Sequence, residues 1–384
     1  MIPRMGSPEV WQEQVGDEEK LLTSGLAALR DLLPADWTTE PAATPGGALD
    51  GGADLLISIA EPHGGVGQVV VETRRSFAPR DAQTLLGGQL RLLRRLDPNA
   101  TVLVLAPWLS PRTRALLRGQ QVGYLDLTGN VWLELDRPAV VIRTAGAERD
   151  PSPTPREAVS LRGVSAGRVV RLLADVQPPY TTSAIAEAAG VSVAHVSRVL
   201  ATLDREALVQ RGRRALVVDV DWPHLLRRRA ETYRLYAANQ ALGYISPTGS
   251  HDLVRRLQEQ PSHLYRAVTG SFAAAQRAPV AASGQLTLYV AAPQATAVAL
   301  GLLPADTGAD TVLLQAYDFV VLDRTVMVDG LRVVAPTQLV LDCLSGSGRM
   351  PAEGEALLDW MTDREAEWRL PSIAALPPRG QVAP

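Results

Sequence analysis

Cysteine is nearly absent: of 384 residues, only Cys343 carries a thiol. One thiol cannot close an intramolecular disulfide or build a cysteine-rich zinc site. Lysine is just as scarce, with Lys20 standing alone among 38 basic residues. That arginine bias is compositional and carries no functional signal by itself. No apolar run reaches the roughly 18 residues a spanning helix needs, so a membrane is not an expected partner. No basic start leads into an apolar stretch; no signal peptide is expected, and the cytoplasm is the expected compartment. Internal repeats are missing too. What remains is a globular chain, 46% apolar and 21% charged, long enough for two or three domains.

The net charge of -3 is unevenly spread. Residues 1–150 hold 15 basic and 19 acidic side chains, residues 151–240 hold 13 and 8, and residues 241–384 hold 10 and 14. The middle segment alone has an electrostatic reason to meet a polyanion.

Two stretches look like joints. Ala145–Ala158 has three prolines and no apolar period, and the tail from Pro371 is proline-rich. The expected division is an α/β domain over 1–145, a linker over 146–158, a helical middle with a β-ribbon over 159–242, a second α/β domain over 243–370, and a disordered tail over 371–384. In the first domain the patterning predicts a polar helix from about Glu9 to Leu33, broken near Gly16. Strands follow at Asp54–Ile59, Gln68–Glu72, Thr101–Ala106, Val131–Leu135 and Ala139–Arg143. Asp126, Gly129 and Asn130 fit a tight turn. In the middle, one helix is predicted from Trp222 to about Leu242. In the last segment, strands are expected at Gln285–Val290, Thr311–Gln315, Val320–Val321 and Leu331–Val334, with a helix over Ala352–Trp368.

The segment Thr181–Arg214 carries the strongest signal. Gly190 sits where a helix must stop and turn, and Ser192 is a good N-cap for the next one. Val196, Val199, Leu200 and Leu203 recur at i, i+3, i+4 and i+7 and face the core. Ala194, Arg198, Ala201 and Arg205 fall opposite, flanked by His195, Ser197 and Thr202. That face is small, polar and basic, which suits a major groove about 12 Å wide. The hairpin tip that follows has Arg211, Arg213 and Arg214, placed to neutralise phosphates. Over about residues 160–222 the chain resembles the winged helix-turn-helix of bacterial transcription regulators. The roles expected are that Ser192 caps and touches phosphate, that Ala194, Ser197 and Arg198 read bases, that His195 either reads a base or is an ordinary surface histidine, and that Arg211, Arg213 and Arg214 hold phosphates.

In the first domain, Asp54 and then Glu72-Thr73-Arg74 after a valine run, followed by a helix with Gln83 and Gln89, resemble the PD-(D/E)xK nuclease fold. That likeness implies a restriction-endonuclease-like α/β domain in which Asp54 and Glu72 hold Mg²⁺. Arg74 stands where the family has lysine. A guanidinium stays charged and makes a poor proton acceptor, so an inactive domain without cofactor or metal is expected. In the last domain, Val268–Pro279 and the strand after it resemble nucleotidyltransferase-like domains and the C-terminal domain of type IV abortive-infection (AbiE-type) antitoxins. Gly270 and Ser271 are present, but Leu286–Tyr289 lacks the acid pair that would bind magnesium, so no nucleotide transfer is expected. Asp342 is expected to serve helix packing or capping.

The fold expected is therefore a multidomain α/β and α+β chain with a central winged helix-turn-helix. The function expected is that of a non-enzymatic, sequence-specific regulator that binds double-stranded DNA as a homodimer. An antitoxin-like autorepressor with a cognate toxin is the finer expectation. A metal-dependent nuclease and a protein-interaction scaffold are the rivals.

Overall fold

The computed structural model describes residues 8–42, 55–87, 101–152, 161–259, 266–280 and 284–377. It divides into two compact units, one of residues 1–157 with 205–207, the other of 158–204 and 208–384. Among the described residues, no single helix is long and apolar enough to cross a membrane.

The first unit contains α1 (Pro8–Leu32), β1 (Thr38–Pro41), β2 (Leu55–Ala60), β3 (Val66–Thr73), α2 (Pro79–Gly87), β4 (Thr101–Ala106), α3 (Pro111–Gly119), β5 (Gly123–Asp126), β6 (Val131–Asp136) and β7 (Ala139–Thr144). The seven strands lie side by side in chain order. Only β3–β4 and β4–β5 run parallel. Successive strand side chains point to opposite faces. Ile57, Ile59, Val69, Val71, Leu103 and Leu105 therefore gather on one face with Leu21 and Leu29 of α1. Leu56, Val70, Val102 and Val104 gather on the other with Leu85 of α2 and Leu117 of α3. A sheet covered on both sides explains the unbroken apolar run of β4.

Three expectations change here. The helix α1 runs through Gly16 without a break, and β1 and β5 are strands that the patterning does not show. Gly146 and Ala147, read as the start of the linker, are tied into this unit: Gly146 N–H donates to Asn130 Oδ1 at 2.9 Å, and Ala147 O accepts from Trp108 Nε1 at 3.0 Å. The Asp126 turn forms as expected. Buried Asp126 accepts from the backbone N–H groups of Leu109, Thr128 and Asn130, and Gly129 adopts φ 99°.

The second unit opens with α4 (Val164–Asp175), α5 (Thr182–Ala189), α6 (Val193–Arg205), the ribbon β8 (Val209–Arg211) and β9 (Val217–Val220), α7 (Trp222–Ala230) and α8 (Leu235–Ala238). It continues with β10 (Gln240–Ile245), α9 (Ser250–Glu259), β11 (Ala267–Thr269), α10 (Gly270–Ala275), β12 (Leu286–Tyr289), α11 (Pro293–Leu300), β13 (Leu303–Pro304) and β14 (Thr311–Gln315). Last come β15 (Val326–Val328), β16 (Leu331–Val333), α12 (Pro336–Leu344), α13 (Met350–Asp363) and α14 (Glu365–Trp368). Its large sheet has the order β13-β10-β14-β12-β11-β16-β15, with β14–β12 and β11–β16 parallel.

The helix expected to reach Leu242 stops at Ala230, because Tyr233 must turn inward and residues 240–245 are needed as a strand. Val320–Val321 is not a strand. It lies in a 3₁₀ turn, Phe319–Leu322, capped by Asp318 Oδ1 accepting from Val320 N–H at 3.1 Å. The helix expected over Ala352–Trp368 is split between α13 and α14 at Arg364. Part of the tail is ordered: Ile373 and Leu376 pack on the core, and Ile373–Ala375 forms a 3₁₀ turn.

The helical head and the last sheet share one hydrophobic core. Val169 and Leu173 of α4 and Leu225 and Leu226 of α7 belong to the same buried cluster as Val320, Leu339, Val340 and Leu357. Trp222 meets Trp368 edge to face, with ring centroids 4.8 Å apart. Arg168 of α4 grips Asp318 with two bonds of 3.1 and 2.7 Å and stacks over Phe319.

Asp342 is fully buried in this core, as an acceptor rather than a cap. It takes hydrogen bonds from Thr269 Oγ1, Tyr233 OH, Tyr289 OH and Gln338 Nε2, at 2.6 to 3.0 Å. Burial pushes its carboxyl up to about 6, while the four donors pull in the opposite direction. Between roughly pH 4 and 6, the folded protein then holds a proton that the unfolded chain has released. The group's stabilisation is fullest below pH 4 and is lost as pH rises through 6. Urea unfolding of wild type and Asp342→Asn should diverge by about 3 kcal/mol between pH 4 and pH 7, with the wild type relatively stronger in acid. Parallel curves would contradict the assignment.

Candidate nucleic-acid interface

Local chemistry builds the head. Thr181 Oγ1 accepts from Ala184 N–H at 3.2 Å and starts α5. The helix ends at Gly190, with φ 62° and ψ 45°, and Val191 N–H returns to Ala186 O at 3.0 Å. A left-handed residue at this corner favours glycine. Ser192 Oγ accepts from His195 N–H at 3.2 Å and opens α6, whose axis is turned through 115° from α5. Val196, Val199, Leu200 and Leu203 are all sealed in the core.

Ser192, Ala194, Ser197, Arg198 and Ala201 are exposed along α6. His195 is half-buried; its Nε2 is shielded from solvent and has no hydrogen-bond partner among the described residues. Thr202, expected at the edge of the exposed face, is buried. Val193, to which the sequence pattern gives no role, is 50% exposed in the first turn of α6.

After α6 the chain forms the β8–β9 ribbon. Its tip closes through Gly212 N–H donating to Leu216 O at 2.8 Å. Arg213 and Arg214 are exposed at this tip, and Arg214 and Ala215 take φ of 56° and 59°. Arg211 is half-buried at its base. Several other arginines of the basic middle serve the fold. Arg171 and Arg229 are buried against backbone carbonyls, and Arg227 and Arg228 pair with Glu355 and Glu231. Among the described residues of the middle segment, the exposed arginines are Arg162, Arg198, Arg213, Arg214 and Arg234.

The nuclease-like positions come together only in part. Glu72 is buried at the end of β3 and makes a salt bridge with Arg74, whose Nη1 also donates to Thr73 O at 2.9 Å. Asp54 and Gln89 lie outside the described residues. Among the described residues, no group of three or more His, Cys, Asp or Glu is placed to hold a metal ion. In the last domain, Ser271 Oγ donates to the buried carboxylate of Glu353 at 2.6 Å.

Residues 164–228, from α4 into α7, match the Crp-like helix-turn-helix domain family. No curated protein and no solved structure matches the chain.

Proposed function

We propose that the chain, with its Crp-like helix-turn-helix, is a sequence-specific double-stranded DNA-binding transcriptional regulator. The observation that carries this reading is that Ser197 and Arg198 on α6, and Arg213 and Arg214 at the hairpin tip that follows it, are all exposed. Arg198 reads a base edge and the tip grips phosphates. A winged helix reads only a few base pairs, so a homodimer on a two-part site is the assembly expected. The antitoxin-like role, with autorepression and a cognate toxin as partner, rests on the resemblance of the last domain.

Replacing both Arg213 and Arg214 with alanine should weaken binding about equally on all duplexes. It should lower the slope of log K against log salt by roughly 1–2. Titrations of labelled fragments between 50 and 200 mM salt would measure it, and an unchanged slope would remove the tip from the interface.

We propose further that the first unit is not a nuclease. Arg74 neutralises the Glu72 carboxylate that a metal would need, and the residues present fit a divalent cation poorly. Supercoiled plasmid should stay intact with Mg²⁺ or Mn²⁺. Cleavage that disappears in Glu72→Ala would reverse this.

A further inference from the structure

The first two turns of α6 present an unusual set of side chains. Val193, Ala194, Ser197, Arg198 and Ala201 are exposed, while Val196, Val199, Leu200 and Leu203 are sealed inside. The fold makes no demand for an apolar residue at 193, since half of that side chain stands in solvent. The exposed face from Val193 to Ala201 has no Asp, Glu, Asn or Gln. It has no carboxamide for the paired donor and acceptor of adenine and no carboxylate to accept from the cytosine amino group, and its one hydroxyl, Ser197, can donate or accept at any base and so favours none. What it offers with a base preference is one guanidinium, suited to guanine O6 and N7, and apolar carbon. The only apolar feature on a major-groove base edge is the thymine methyl.

We infer that the N-terminal end of α6 reads thymine and guanine: Val193 and Ala194 pack on thymine methyl groups, and Arg198 takes a guanine. Val193 and Arg198 are about 7.5 Å apart along the helix axis, or roughly two base-pair steps at about 3.4 Å each. The two bases therefore fall within about two to three positions of each other. The inference rests on the DNA-reading function proposed above and adds the bases read.

The test uses the full chain. Duplexes are selected from a random pool, and the best is remade with deoxyuridine for thymidine, which deletes only the methyl. The uridine duplex should bind roughly three- to fivefold more weakly. Val193→Ala should lose a similar factor on the thymidine duplex and little more on the uridine duplex, because both changes break the same contact. Val193 is surface-exposed, so circular dichroism should show an intact fold; Val193→Thr, which keeps a methyl at that position, should recover part of the loss. Equal affinity for both duplexes, or losses that add fully, would overturn the methyl contact while leaving DNA binding in place. Failure to bind any duplex at low salt would instead overturn the functional reading, and this inference with it.

Discussion

Arg171→Ala should cost the second unit about 3–5 kcal/mol, the range seen when one partner of a buried charge network is removed. Arg171 is among the most deeply buried large side chains. From α4 it donates to Val320 O at 3.0 Å, to Gln338 Oε1 at 2.7 Å and to Asp175 Oδ2 at 3.2 Å. Asp175 in turn accepts from Thr337 and pairs with Arg324 at 3.2 Å. Truncation leaves a cavity, orphans the acceptors and strips Asp175 of one of its two cations. For a unit of this size the melting temperature should fall by roughly 10 °C. Calorimetry would measure it. Arg171→Met keeps the bulk but not the donors, and should recover only the cavity part. A loss below about 1 kcal/mol in the alanine variant would mean that the network contributes little.

Arg198→Ala should act on recognition and leave the fold alone. The side chain is exposed, so the melting temperature should hold. Affinity for the best selected duplex should drop roughly tenfold to a hundredfold, as expected for a lost bidentate base contact. Binding to unrelated duplex should change far less, since phosphate contacts supply most of that affinity. Titration of selected and scrambled duplexes with both proteins separates the two effects. Equal losses on both would recast Arg198 as a phosphate contact.

The helix-turn-helix was legible because its signals are local. Thr181, Gly190 and Ser192 cap helices through bonds to residues three or four positions away, and the core period of α6 needs no distant partner. The first sheet was legible where strands alternate or run apolar, as in β3 and β4. It was missed in β1 and β5, four residues each, which are too short to show a period. In the last sheet β11 and β15, three residues each, and β13, two residues, were hidden for the same reason. Tertiary demand overrode local preference elsewhere: Tyr233 ends a helix in order to reach Asp342, and Asp318 curls two valines into a turn. Arg171 and Asp175, four apart on a helix, look from sequence like an ordinary surface pair. Only the packing of α12 and the Val320 turn against α4 reveals them as interior.

The core shared by α4, α7 and α12 joins the helix-turn-helix to the last sheet. A fragment severed after residue 242 would expose Leu225, Val169 and Trp222 to water and should clump rather than fold. Because Val196, Val199, Leu200 and Leu203 of α6 sit in that same core, a tilt of the last sheet is expected to carry α6 with it. In the homodimer proposed above, the distance between the two copies of α6 would then be set by how their bodies dock, and the spacing of half-sites with it.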